Sequence, residues 1–508
     1  YDYKVNYTDV YSQVRCWDTL IYNHLLKKNI IIPPKEDHEK DTQYEGAYVK
    51  DPQLGLHEWI VSFDLNSLYP HLIMQYNISP ETFVGVESQT VGVENYLNEK
   101  FNLTWAQKKN VTIAPNGAMF KKDKQGFLAE LMEKMYSDRV VFKKKAIQAK
   151  KEFEKTKDPI YENEIARCHN IQMAKKISLN SAYGAIGNQY FRYFDVKQAE
   201  AITLGGQLSI RWVERDVNKF MNKTLSTTNV NYVVASDTDS IYLRLSQLVE
   251  KVCKDKTDKQ IVGFLNKVSE QKIQKVIDNS FENLAKYVNA YDQKMIMKRE
   301  AIANKGIWIA KKRYMMNVFD EEGVVYDTPK LKIMGVEAVK SSTPEVCRSK
   351  IKQAIRLIMN DNEDTVVKFV NSFKDVFNTL SPEEIAFPRS CNNLSKYTNS
   401  SSMYNKGTPI HVKGALIYNH FIHKNKLERK YPLIKEGDKI KFLMLKQPNT
   451  VKDTVISFST KIPYEFDLHK YIDYDMQFQK SFTDPLKFIL DSIGWKLERE
   501  ATLESFFE

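Results

Sequence analysis

Residues 233–245, VVASDTDSIYLRL, set Asp237 and Asp239 one residue apart at a tight turn between two apolar runs. Period-two spacing puts Ile241, Leu243 and Leu245 on one face of the second strand. The same four residues, Asp-Thr-Asp-Ser, also suit a type I turn, because Asp and Ser bond the local backbone. Two ionised carboxylates on so short a hairpin repel by a few kcal/mol at an effective dielectric of about 20, and divalent cations between them remove the conflict. A third acid, Asp64, closes the strand-like WIVSFDL where the helical SLYPHLIMQY begins, a place that an N-cap aspartate would also take. Together the three acids could hold two Mg²⁺ ions about 3.5–4 Å apart, one activating an oxygen nucleophile and one neutralising a leaving phosphate. That is phosphoryl-transfer chemistry.

Such a site needs cations facing it. Residues 126–188 read as two antiparallel helices, and 134–157 carry nine Lys/Arg against three Asp/Glu. Four-residue spacing stacks Arg139 with Lys143 on one helix and Lys176 with Asn180 on the next, with Tyr183 and Gly184 continuing that face. A guanidinium fork and ammonium point charges suit a triphosphate. A solvated basic face is the alternative, and it suits the run Lys143–Lys145 best.

The chain of 508 residues has 42% hydrophobic side chains, enough for two to four cooperative units. Its 75 Lys+Arg against 64 Asp+Glu leave a formal net charge of +11, which favours a polyanionic partner. The five cysteines are odd in number, scattered and never in a CxxC pair, which fits a reducing, cytoplasmic setting rather than zinc or disulfides. There is no apolar run long enough for a bilayer and no leader-like start, so no membrane partner is expected.

Around these residues the elements fall in order. WDTLIYNHLLKKN reads as a short amphipathic helix closed by Pro33 and Pro34; strands flank the 237–239 turn and include WIAKKRYMMNVFD; beyond about 345 a mixed region holds a strand pair around KIKFLMLK and a final helix.

FDLNSLYP, KKISLNSAYGAIGN and ASDTDS resemble motifs A, B and C of family B DNA polymerases, in that order and followed by KKRY at 311–314, and the likeness covers essentially the whole chain. NISPET, YEGAYV, PKLKIMG with SSTP, and the terminal LESFF are similar to the replicative polymerases of T-even-type tailed bacteriophages. The resemblance implies an α+β right hand: an N-terminal linker and helix at 1–35, a palm with antiparallel sheet at 36–125 and 189–335, helical fingers at 126–188, and a mixed thumb at 336–508. It implies template-directed DNA synthesis, adding dNTPs to a primer 3′-hydroxyl on primer–template DNA.

Residue roles follow from the same likeness. Asp64, Asp237 and Asp239, with the Leu65 carbonyl, would bind two Mg²⁺ per site. Ser67, Leu68 and Tyr69 would line the dNTP, Tyr69 lying under the deoxyribose and excluding a 2′-hydroxyl. Arg139, Lys143 and Lys176 would grip the triphosphate, with Lys176 as proton donor to pyrophosphate, supported by Asn180. Tyr183 and Gly184 would pack by the nascent pair. Lys311, Lys312, Arg313 and Tyr314 would hold the primer, Lys312 reaching the minor groove, whose acceptors are shared by all base pairs. Tyr44 and Gly46 would touch the template strand, though spacing alone suits a turn before a strand. Lys406, His411 and Lys413 would meet duplex phosphates, or form a solvated face. Leu503, Phe506 and Phe507 resemble a sliding-clamp peptide, or a hydrophobic terminus folded onto its own domain.

Some residues depart from the family pattern. Ser236 stands where a glycine is usual before DTDS. Lys298 stands where related phage enzymes carry an acid, which leaves Glu300 as the accessory carboxylate. The short span from Arg139 to Lys176 implies compact fingers. No DxE-type exonuclease signature precedes Asp64, so proofreading is expected from a separate exonuclease polypeptide or an omitted N-terminal part. A noncatalytic DNA-binding descendant is the rival from another class. A protein-primed polymerase would need an insertion between motifs A and B for which the spacing leaves little room.

Overall fold

The computed structural model describes residues 4–40, 42–399 and 402–497. It combines helices with antiparallel sheets, and the chain divides into two compact units: residues 1–53, 57–306 and 318–330 form the first, and 54–56, 307–317 and 331–508 the second. Segment 311–314 therefore belongs to the second unit, not to the unit that carries the acids.

The main sheet consists of β1 (Gly55–Leu65), β2 (Val233–Asp237), β3 (Ser240–Arg244), β4 (Met297–Ala310), β5 (Arg313–Glu321) and β6 (Val324–Met334), in the order β2-β3-β1-β4-β5-β6. Val61, Phe63 and Leu65 of β1 and Ile241 and Leu243 of β3 are buried in the first unit's apolar core. Alternation sends Ser62 and Asp64 to the opposite face. The antiparallel register sets Asp64 across from Ser240, and Ser240 across from Asp237.

The helices of this unit are α1 (Gln13–Lys27), α2 (Leu68–Tyr76), α3 (Phe127–Thr156), α4 (Ile160–Ile186) and α5 (Val196–Leu225). At 30 and 27 residues, α3 and α4 are about 45 and 40 Å long, and the two pack against each other. The N-terminal helix props α4: Trp17 Nε1 donates to Ser181 Oγ at 2.9 Å and to the Ser178 carbonyl at 3.2 Å. Asp195 caps α5 by accepting from the amides of Lys197 and Gln198. On that helix Gly206 lets α2 come close, since a Cβ there would stand 3.3 Å from Leu68 and 3.6 Å from Tyr69.

The second unit has its own core, with Cys347, Ile351, Ile355, Phe373, Phe377, Val455, Phe458 and Phe482 all essentially inaccessible. A small sheet joins Lys439–Met444 to Phe387–Ser390 on one side and Val455–Phe458 on the other, all antiparallel.

Candidate active site

Asp64 is the last residue but one of β1, and the helix after it starts at Leu68 with Ser67 as N-cap residue. The N-cap alternative for Asp64 is therefore overturned: its side chain belongs to the sheet. Ser67 adopts a left-handed φ of 48°, which turns the chain sharply from strand to helix. The turn is held from beneath, because the Ser67 carbonyl accepts from His71 Nδ1 at 2.9 Å. Burial drives the His71 imidazole down to about 4, so the ring is neutral and carries its proton on Nδ1.

The type I reading of Asp-Thr-Asp-Ser also fails. Thr238 has φ of 60°, an outlier for a β-branched residue, whereas the first turn residue of a type I turn has φ near −60°. Two bonds hold it there: the Thr238 hydroxyl donates to Asp237 Oδ1 at 2.9 Å, and its amide donates to the Tyr48 carbonyl at 3.0 Å. The hairpin is stitched to motif A by the Leu65 amide, which donates to the Asp239 carbonyl at 2.7 Å.

The carboxylates feel one another. Burial first, then Asp239 and Glu300, hold Asp64 far above the usual carboxylate range. Asp239 is raised too, by burial and then by Asp237 and Glu300, while Lys176 pulls both back down. Glu300 is fixed by Ser62, whose hydroxyl donates to Glu300 Oε2 at 3.0 Å and accepts from the Ala301 amide at 3.1 Å. Among the described residues, no three His, Cys, Asp or Glu side chains are already gathered as a metal cage. The donor chemistry nonetheless fits divalent cations: hard oxygen ligands, half-buried, mutually repelling and short of positive charge.

The cations stand in different states. Lys176 and Asn180 are exposed on α4. Lys143 is ion-paired with Glu322 at 2.6 Å, half exposed. Arg139 is buried, donating through Nη1 to Ser67 Oγ and through Nε to Gln172 Oε1 at 3.4 Å. Leu68 is buried in the core, and the Tyr69 ring packs tilted against Tyr183, centroids 4.6 Å apart. Tyr44 bonds the Tyr183 hydroxyl, and a Cβ on Gly187 would run into the Tyr44 hydroxyl. Tyr44, Tyr69 and Tyr183 thus form one aromatic group. The Gly46 carbonyl accepts from Gln207 Nε2 at 2.7 Å, and Gly184 lies against Gln13. Ser236 is buried and its hydroxyl has no hydrogen-bond partner.

In the second unit, Lys311 and Lys312 form the turn before β5, Lys312 with φ of 60°. Arg313 pairs with Glu337 at 2.5 Å, and Tyr314 is buried, stacked on Trp308 at 5.5 Å. Lys406 is exposed and His411 half-buried, its imidazole lowered by burial and by Arg389. Lys413 is bound to Asp453 at 2.7 Å and lies 5.0 Å over the Tyr404 ring. Leu503, Phe506 and Phe507 lie outside the described residues.

Trp17, Ser62, His71, Gln172 and Glu322 are site-supporting residues that sequence reasoning missed. Each acts on a partner far away in the chain or through a backbone carbonyl, so no local spacing signals it.

The sheet with its acidic hairpin is thus faced by cations of the α3–α4 pair, Lys143 and Lys176, which act on Asp64. The family model for DNA polymerase family B matches residues 6–493, and the chain belongs to that family. It is 31% identical to the DNA-directed DNA polymerase of Enterobacteria phage T4 and 31% identical to that of Escherichia phage RB69, in each case across 99% of this chain and 61% of the relative. The DNA polymerase of Thermococcus gorgonarius is 26% identical across 93% of this chain and 51% of its own length. The chain thus spans 61% of the length of the phage relatives it matches. No described helix is long and apolar enough to cross a membrane.

Proposed function

We propose that this chain performs template-directed DNA synthesis, joining the α-phosphate of a dNTP to a primer 3′-hydroxyl by in-line attack, with release of pyrophosphate. One observation carries the reading: Asp64 and the 237–239 hairpin occupy adjacent strands with half-buried carboxylates set against one another, opposite the exposed Lys176. Two Mg²⁺ ions held by Asp64, Asp237, Asp239 and the Leu65 carbonyl would supply Lewis-acid charge at the nucleophile and at the leaving group.

The chain's own residues do the rest. Lys176 holds a proton on Nζ for the departing pyrophosphate. Arg139 and Lys143 bind the phosphates, Arg139 by exchanging Ser67 for a phosphate oxygen. The Tyr69 ring, backed by Tyr183, fills the space that a ribose 2′-hydroxyl would need. Positioning and charge neutralisation supply most of the acceleration. In this reading 36–125 and 189–335 are the palm, 126–188 the fingers and 336–508 the thumb. Lys311–Tyr314 grip the primer, Lys406, His411 and Lys413 the duplex phosphates, and the tail a sliding clamp. The chain's five free cysteines suit the cytoplasm of a host cell.

Primer extension with Mg²⁺ tests this. The pair Asp237→Ala/Asp239→Ala is expected to abolish extension and to keep primer–template binding. Undiminished extension by that double variant would refute the catalytic assignment and favour the noncatalytic DNA-binding reading.

A further inference from the structure

One lysine of the active face is left without a role. The Asn66 amide donates to the Ile296 carbonyl at 2.9 Å, and Ser62 meets Glu300 and Ala301, so residue numbers rise along β1 as they fall along β4. The Asn66–Ile296 backbone bond sets an antiparallel register in which 64 falls opposite 298, and the side-chain contact of Ser62 with Glu300 agrees with it. Lys298 is therefore the cross-strand neighbour of Asp64, and side-chain alternation puts it on the same face. Asp237, Ser240, Asp64 and Lys298 form a single row across β2, β3, β1 and β4.

Lys298 is exposed, and its ammonium makes no ion pair or hydrogen bond with any described residue. It is also absent from the leading influences on Asp64 and Asp239, whose positive neighbours are Lys176 and Lys143. Its ammonium thus reaches into solvent rather than neutralising the acids beside it. A polyanion approaching this face meets three aspartates and Glu300, all repulsive without cations. At the end of the row, a sheet-borne free ammonium is what a backbone phosphate can settle on without reading sequence.

We propose that Lys298 is a phosphate-binding residue: it holds a DNA backbone phosphate beside the reacting primer end and so positions that end over Asp64. This rests on the polymerase reading above, and the test separates the two. Primer–template affinity is measured by fluorescence anisotropy with EDTA and no dNTP, from about 50 to 300 mM salt, for the full chain and for Lys298→Ala, Lys298→Arg and Lys298→Glu. One lost phosphate contact should flatten the log–log salt slope of Lys298→Ala by about 0.9 and weaken binding several-fold at low salt. Lys298→Arg should restore both, and Lys298→Glu should bind more weakly than alanine. If Lys298→Ala matches the unaltered chain at every salt concentration while that chain binds and extends primers, this inference is overturned and the polymerase reading stands. If Lys298→Ala leaves the slope unchanged but tightens Mn²⁺ binding in a DNA-free titration, Lys298 acts on cations and the inference is likewise overturned. Failure of the unaltered chain to bind or extend any primer–template would sink the underlying reading instead.

Discussion

Lys176 and Lys413 are both lysines beside aspartates withdrawn from solvent, half-buried for Lys176 and buried for Lys413, one in each unit, and their surroundings differ in one respect. Lys413 meets a single acid, Asp453, at 2.7 Å, with the Tyr404 hydroxyl on the same carboxylate at 2.7 Å. That charge is closed. Lys176 faces Asp64 and Asp239, with Asp237 and Glu300 close behind, and forms an ion pair with none of them. That charge is open. A folded protein tolerates unbalanced buried carboxylates at a cost, and such a cost at a cleft marks a place where a ligand finishes the balance. A closed pair needs nothing from outside.

The contrast can be broken most directly at Lys176. Lys176→Ala is expected to slow single-turnover nucleotide addition by about 10²- to 10³-fold, as for loss of a general acid, with primer–template affinity unchanged. An unchanged rate would make the open charge an accident of packing.

His71 sharpens the same side, because it supports the Ser67 turn that carries Arg139. Its folded pKa, about 4, lies below the ordinary histidine value of 6.5. The neutral ring's contribution is therefore complete above pH about 6.5 and is lost as pH falls towards 4, up to about 3 kcal/mol in all. Urea unfolding of His71→Gln should show a weaker acid destabilisation across that window than the unaltered chain does. Equal pH dependence would place the sensitivity elsewhere.

On the closed side, Lys413→Ala leaves Asp453 buried without its cation. A loss of about 2 kcal/mol is expected in the urea transition of the second unit, below the usual value for a fully buried pair because the lysine is partly exposed. Its effect on DNA affinity should be the smaller one; the reverse order would show that Lys413 is also open. Smallest of all, Glu322→Gln releases Lys143 from a half-exposed pair. The KM for dNTP should drop by a factor of about 2, and a rise would mean that Glu322 helps to aim Lys143.

The strands and the long helix pair were legible because each is written in short spacings: period two, period 3.6, a turn between apolar runs; the meeting of Asp64 with a hairpin 173 positions further on rested on the likeness of the three ordered motifs. Two local readings still failed. Thr238 takes a conformation that its residue type resists, since its hydroxyl and amide find partners in Asp237 and Tyr48. Asp64 remains in the strand because Ser67 makes the turn three residues later. Whether a lysine is open or closed was not legible at all. Lys143 and Glu322 are 179 positions apart, and Lys413 and Asp453 are 40 apart. The Lys298 row likewise appears only once the pairing of β1 with β4 is known.

The stretch just before β1 anchors the acidic hairpin from outside the sheet. Thr238 donates to the Tyr48 carbonyl, the Lys50 amide to the Ser236 carbonyl and the Gln53 amide to the Val234 carbonyl. Residues 48–53 thereby cover the outer edge of β2, which would otherwise offer free amides to a stray strand. The same seam ties Tyr44 and Gly46, only a few residues upstream, to the acidic hairpin by a short tether. Tyr48, whose carbonyl holds the Thr238 amide, stands four residues after Tyr44, so the backbone bearing Tyr44 and the backbone of the acidic hairpin share one hydrogen-bonded anchor.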